Sequence, residues 1–340
     1  MPTDPRRIAP LDWRALVDET IRRRKAEKLT QREHAALASV SVPTIVAFDR
    51  GEETLTLTKA FDILRVVGLL DESEKKEGAQ GAFVQEAFTR WRALTKDLPQ
   101  DSPGRFTNGW YRFDYALEGG LIDYELHEFK ELLRKSVLMH TGWPLFLFAG
   151  RPDLEPYEQD GVIECWLKPS DAAPNRPLGD PAHSDFWRAA PTGRAFIIRG
   201  YQEDSQDTFS PKTIFDTTLP TWRLGEVALH AKNIVDQLAQ DQEKITVRLR
   251  ALYTGLSGRV LRAWANPLAD LIVEGGAARS DEALLETSIP AKEIENNLAR
   301  YIHPLIASLF ERFGVTGLSI DRVEAELEKM KNNRFSSVRG

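Results

Sequence analysis

A string of carboxylates and one lysine, Asp123-Tyr124-Glu125-Leu126-His127-Glu128-Phe129-Lys130, comes nearest to catalytic chemistry in this 340-residue chain. A Glu-x-Lys pair beside another carboxylate can hold a divalent cation and orient a water. The same stretch carries Phe129, Leu132, Leu133, Val137 and Leu138 at helical spacing, so Glu128 and Lys130 are read first as charges on the outside of an amphipathic helix. His183-Ser184-Asp185 offers two metal ligands in a loop, with no third in view. Cys165 is the only cysteine; it excludes a disulfide framework and a cysteine-type zinc cluster, and its apolar surroundings predict a buried, inert thiol. Neither G-x-x-x-x-G-K-S/T nor G-x-G-x-x-G occurs, and no nucleophile elbow. The residues therefore predict a non-enzyme, with no catalytic set, no metal and no cofactor.

The elements near the N-terminus are more informative. A helix is expected after Asp12, with Trp13, Leu16, Val17 and Ile21 on one stripe and Arg22, Arg23, Arg24, Lys25 and Lys28 at its far end. Cations placed there complement the helix dipole and can reach phosphates. Thr30-Gln31-Arg32-Glu33 is a capping box opening a second helix, in which Ala35 and Ala38 permit close approach. A short turn over 38–41 leads to Ser41 as N-cap of a third helix, Val42 to Phe48, with Ile45 and Phe48 inward. Val42, Pro43, Thr44 and Ala47 are left at the exposed front. Asp49-Arg50-Gly51 ends that helix, and Leu57, Ala60, Phe61, Leu64 and Val67 stripe a fourth, closed by Gly68.

This stretch, roughly residues 11–70, resembles the XRE (Cro/λ-repressor-type) helix-turn-helix family. The resemblance rests on Thr30-Gln31, Ala35, Val40-Ser41, Ile45, Phe48, the Asp49-Arg50-Gly51 exit and the 57–68 helix. It implies an all-α λ-repressor-like bundle that binds double-stranded DNA. Gln31 would touch a phosphate and brace the recognition helix, Val42, Pro43 and Thr44 would face base edges, and Arg50 would lie near the DNA backbone. Arg32, Ser41 and Ala47 belong to the same expected contact set, with Arg24 and Lys28 as further phosphate ligands. His34 and Ala38 replace the usual leucines, and Ser39 stands where glycine is usual in the turn. Val42 and Pro43 replace polar readers; apolar side chains contact thymine methyls, so T-rich half-sites are expected. One short reading helix buries too little for an operator alone, which predicts a homodimer on a palindrome.

Charge is distributed to match. Residues 1–68 carry 12 Lys+Arg and 10 Asp+Glu, a net +2, whereas the rest of the chain is −8. DNA contact is expected from the N-terminal face alone. No long apolar run suggests a membrane span, and the first residues lack an apolar leader core, so a cytoplasmic protein is expected.

The remainder reads as a linker over 71–81, then a connector helix over 82–98 carrying Phe83, Ala87, Trp91 and Leu94, and a break over 99–104. From 105 onward, strands are predicted over 144–148, 161–167, 194–201, 244–253, 260–265 and 283–289. Helices are predicted over 125–140, 182–190, 223–240, 291–313 and 321–332. Ile245, Val247 and Leu249 alternate with Thr246, Arg248 and Arg250, a half-buried pattern. Irregular interleaving favours α+β over a doubly wound sheet. The tryptophans of this region suit a core more than a ligand pocket. The phrases HTGWP, DGVIECWL, DFWRA and TLPTWRLGE resemble an uncharacterised region of bacterial proteins with AlbA/Schlafen-like modules, and the Glu128-Phe129-Lys130 string resembles the acidic string of those modules, some of which are nucleases.

The expectation is a multidomain chain: a DNA-binding domain over 1–70, a linker and connector over 71–104, and an α+β sensor or dimerisation domain over 105–340. It would be a transcriptional repressor with a small-molecule or protein effector. The alternatives are an antitoxin or phage-defence regulator neutralising a protein partner, and a metal-dependent nuclease.

Overall fold

Asp12 accepts a hydrogen bond from the Ala15 amide at 3.0 Å and so starts α1 (Trp13–Ala26). Thr30 and Glu33 form the reciprocal cap of α2 (Gln31–Leu37), Ser41 caps α3 (Val42–Asp49) with Pro43 in its first turn, and Thr56 caps α4 (Leu57–Val66). Local cap chemistry alone thus fixes four helix starts. The structure is a computed structural model that describes residues 12–69, 76–152, 154–169, 180–205, 208–265 and 275–332. The leader reading of the first residues and the start of the expected linker lie outside the described residues.

The chain divides into two compact units, Met1–Gln85 and Glu86–Gly340. The division falls inside α5 (Lys76–Thr95), within the stretch that composition marks as linker and connector. Helix α5 begins earlier than the expected 82, and Gln80, expected in a solvated linker, is buried. In the first unit Val17, Ala35, Ala36, Ile45, Phe48, Ala60, Ile63 and Leu64 make the core. Leu57 and Phe61, expected in the buried stripe of α4, are 70% and 38% exposed. The helix turns the 60–63–64–67 face inward instead, with Ile63 fully buried.

In the second unit the strands β1 (Trp110–Glu118), β2 (Tyr157–Gln159), β3 (Val162–Trp166), β4 (Phe186–Ala190), β5 (Arg194–Gly200), β6 (Ile214–Asp216), β7 (Thr246–Thr254), β8 (Val260–Arg262) and β9 (Glu282–Pro290) form two sheets. One is a seven-stranded antiparallel sheet in the order β2-β3-β4-β5-β1-β7-β9, and β6 pairs in parallel with β8. Tyr111, Phe113, Tyr115 and Leu117 of β1 join Val247, Leu249 and Ala251 of β7 on the apolar face. Packed on that face are α6 (Leu126–Ser136), α7 (Leu219–Leu238), α8 (Ile294–Glu311) and α9 (Ile320–Asn332). Gly225 lets α7 and α9 approach closely: a Cβ there would lie 2.6 Å from Leu327 Cδ2. The result is a mixed α and β chain with more than one compact unit, as the sequence predicts.

The opposite face of the sheet is charged and still buried. Asp114 of β1 sits directly across from Arg250 of β7, whose Nε donates to it at 2.7 Å, and Arg112 Nε lies 3.1 Å from its other oxygen. Arg188 and Arg90 converge on Glu164, which also accepts from the Tyr157 hydroxyl.

Several elements differ from expectation, and β1, β2 and β6 fall outside the predicted strands. Residues 182–190, expected helical, hold a single 3-10 turn (Pro181–His183) followed by β4, whose five residues are all buried. A strand covered on both faces shows no alternation, so a short apolar run is indistinguishable from a buried helix by period. The expected strand over 144–148 is irregular, with Leu145 and Phe146 delivered to the core from a loop. Strand β1, at the centre of the sheet, has a period of two whose outer positions, Arg112 and Asp114, are buried rather than solvated.

Candidate nucleic-acid interface

Helices α2 and α3 are joined by a turn in which Ser39 adopts φ +54 and the Val40 amide donates to Ala35 O at 2.9 Å. A left-handed serine costs about 1 kcal/mol relative to a conformation free of Cβ conflict. At the far end, Gly51 takes φ +77, its amide donates to Phe48 O, and the Glu52 amide donates to Ala47 O at 3.1 Å. That pairing is a Schellman closure of α3, and the positive φ is why glycine occupies the site. Trp13 holds the same end from α1, donating from Nε1 to Gly51 O at 3.1 Å and meeting Phe48 edge to face.

The expected contact residues separate into two groups. Gln31, Pro43, Arg50 and Lys28 are exposed, and Arg32, Ser41, Val42, Thr44 and Ala47 are partly exposed. Ser41 Oγ and Thr44 Oγ1 lie 2.9 Å apart, which orients the Thr44 hydroxyl over the first turn of α3. Arg24 differs from expectation: its side chain is buried and forms a bidentate pair with Asp49, Nη1 to Oδ1 at 2.8 Å and Nη2 to Oδ2 at 2.6 Å. It therefore ties α1 to the end of α3 instead of standing at the surface. Gln31 Nε2 donates to the same Asp49 oxygen at 2.6 Å, so α2 is braced against α3 through one carboxylate. Arg23 is structural as well, donating to Val67 O and Gly68 O at the end of α4. Asp49 is the residue that sequence reasoning missed. The available signal was an acid in the last turn of a helix, an unfavourable place unless a cation offsets it.

His34 is completely buried in α2, and its Nε2 donates to Ile63 O at 3.0 Å. Burial pushes the imidazole down to about 4. Because the native value lies below the ordinary 6.5, the stability due to neutral His34 is complete above 6.5 and is lost as pH falls toward 4. Over that window the first unit is expected to lose about 3 kcal/mol. Hydrogen exchange of the 31–66 amides against pH measures it, and His34→Leu should remove most of that slope.

In the second unit the motif phrases meet, but as a clasp. Glu226 of α7 is buried and accepts from the amides of His140 and Thr141 and from Thr141 Oγ1 at 2.6 Å. Burial raises the pKa of that carboxyl. Asp185 accepts from Trp143 Nε1 at 2.9 Å and from Arg199 Nε at 2.6 Å, while Arg199 Nη2 also donates to Pro144 O. The loop over 140–144 is thus held from both sides. With Asp185 so engaged, the 183–185 pair does not converge on a cation: His183 donates from Nδ1 to Asp180 at 2.8 Å. Among the described residues no three histidine, cysteine or acidic side chains come together as metal ligands. Glu128 is the reciprocal partner of Glu125 in the cap of α6, and Lys130 pairs with Glu155 at 3.2 Å. The carboxylate–lysine string is therefore accounted for as helix capping and a surface ion pair. Cys165 is buried, and burial pushes its thiol well up. Among the tryptophans of this unit Trp187 and Trp110 are in the interior, whereas Trp143 and Trp222 are half-buried and donate to Asp185 and Glu326.

Among the described residues no helix is long and apolar enough to cross a membrane. Comparisons with protein-family models, with curated proteins and with solved structures gave no match to this chain.

Proposed function

We propose that this chain is a sequence-specific DNA-binding transcriptional repressor of the XRE type, reading its operator with α3. One observation carries the reading: Gln31, Val42, Pro43, Thr44, Ala47 and Arg50 all reach the surface around α3, which the Arg24–Asp49–Gln31 cluster fixes in place. With its side chains an α-helix such as α3 is about 10–12 Å across, a fit to the width of a major groove. Val42, Pro43 and Ala47 supply apolar contact for thymine methyls, Thr44 a hydroxyl, and Gln31, Lys28 and Arg50 phosphate contacts. The protein would act in the cytoplasm as a homodimer on a palindrome, with half-sites about 34–36 Å apart. The second unit would supply the pairing surface and the effector response.

Footprinting on the promoter upstream of its own reading frame tests the proposal. The expected result is a protected palindrome whose affinity falls steeply between about 50 and 200 mM salt. Thr44→Ala combined with Arg50→Ala should weaken binding by about tenfold or more. No protection at low salt, or undiminished binding by the double variant, would overturn it.

A further inference from the structure

We propose that a cleft at the N-terminal turns of α7 binds a small carboxylate with a flat apolar body, anchored by Arg223. Among the described residues six arginines are buried, and five have a carboxylate within ion-pair distance. These are Arg24 with Asp49, Arg112 with Asp114, Arg188 with Glu164, Arg199 with Asp185 and Arg259 with Asp204. Arg223 is the sixth. It is 4% exposed, its Nη2 donates only to the neutral Gln202 Oε1 at 3.1 Å, and its Nη1 is buried with no hydrogen-bond partner. A buried guanidinium with no carboxylate at ion-pair distance is disfavoured, the charge of Arg223 reaching Glu226 only from beyond that distance, and an incoming anion relieves that.

The surroundings specify the rest of the ligand. Tyr111, Tyr201, Phe215 and Tyr253 wall the cleft, with ring centroids of neighbouring pairs 5.7–6.1 Å apart, and Arg223 lies over the Tyr111 ring at 5.5 Å. Such walls take a planar apolar group. The Tyr253 hydroxyl is buried with no partner, a second group able to meet a carboxylate oxygen. Glu203, the carboxylate in the lining, accepts from the Asp216 amide at 2.7 Å. Burial, together with the charge of Asp216, pushes it up to about 7, so it opposes an anion only in part. Glu226, three residues beyond Arg223, is engaged by the 140–141 loop. The cleft spans about 250 Å³ when open solvent is counted, and as it stands it has room for about one water. Entry of a ligand therefore requires Leu219 and Pro220, at the start of α7 and in the lining, to shift outward.

The site lies within the second unit and its occupancy is measured without DNA, so it stands or falls separately from the operator reading. The test is calorimetric titration of the full chain with benzoate, benzamide, acetate and inorganic phosphate. Saturable benzoate binding is expected, with benzamide and acetate each about tenfold weaker or more. Tyr253→Phe, which keeps the ring, should weaken benzoate about 3- to 10-fold, and Arg223→Gln more than tenfold, with near-ultraviolet dichroism confirming the fold of each. Benzamide binding as tightly as benzoate would overturn the anion anchor, and phosphate binding more tightly would overturn the flat apolar body. No saturation by benzoate up to about 10 mM, or wild-type affinity in both Tyr253→Phe and Arg223→Gln, would overturn the site itself.

Discussion

Asp185→Ala is expected to destabilise the second unit by about 3–5 kcal/mol, the range for stranding one charge of a buried pair. Asp185 and Arg199 are both fully buried, and the guanidinium donates to both carboxylate oxygens. Removing the carboxylate leaves Arg199 without an anion, beside the carbonyls of Trp143 and Pro144 and the Tyr111 side chain, and Trp143 Nε1 without its carboxylate acceptor. Adding Arg199→Met to the same chain should recover part of the loss, because the stranded charge goes with it. Denaturant midpoints of the two single variants and the double give the coupling directly. A single-variant loss under about 1 kcal/mol would mean that the pair is not load-sharing in the way its burial implies.

Asp49→Ala should cost the first unit about 3 kcal/mol and, on the proposed operator reading, abolish specific DNA binding together with it. Its carboxylate is the shared acceptor for Arg24 and Gln31, which come from different helices. Helices of seven and eight residues do not persist without tertiary support, so α2 and α3 depend on such ties. Arg50→Ala is the matched comparison. Its side chain is largely exposed, 3.8 Å from Glu52, and its loss should weaken DNA binding while leaving amide exchange in α3 unchanged. If Asp49→Ala alters affinity without accelerating exchange in α3, the brace is not structural.

What the sequence revealed follows the range of the interactions involved. The starts of α1 to α3 were legible because Asp12, Thr30 and Ser41 cap amides within three residues of themselves, whereas the Thr56 cap of α4 emerges only with the structure. The exit of α3 at Gly51 was legible for the same reason. Arg24 was not, since its role depends on a carboxylate 25 residues away. Strand β4 was hidden by burial on both faces, and β1 by charges that a solvent-facing pattern would assign to water. The cleft at α7 was further from view: Tyr111, Tyr201, Phe215, Arg223 and Tyr253 meet only through the sheet and the helix laid across it. The phrases around Trp143, Asp185 and Glu226 carry a resemblance in sequence but not their mutual contacts, through which they pin one loop.

The ionic face of the large sheet also bears on how faithfully it assembles. On the apolar face, sliding β7 along β1 by two residues exchanges one hydrophobic neighbour for another and is weakly opposed. On the ionic face the same slip reshuffles the charges. One way sets Arg112 opposite Arg250 while Asp114 meets Arg248; the other sets Asp114 opposite Leu252 while Glu118 meets Arg248. Charge alone therefore does not exclude a slip; the native register is the one that sets Asp114 against Arg250 with Arg112 beside it, so that one buried carboxylate meets two guanidinium groups.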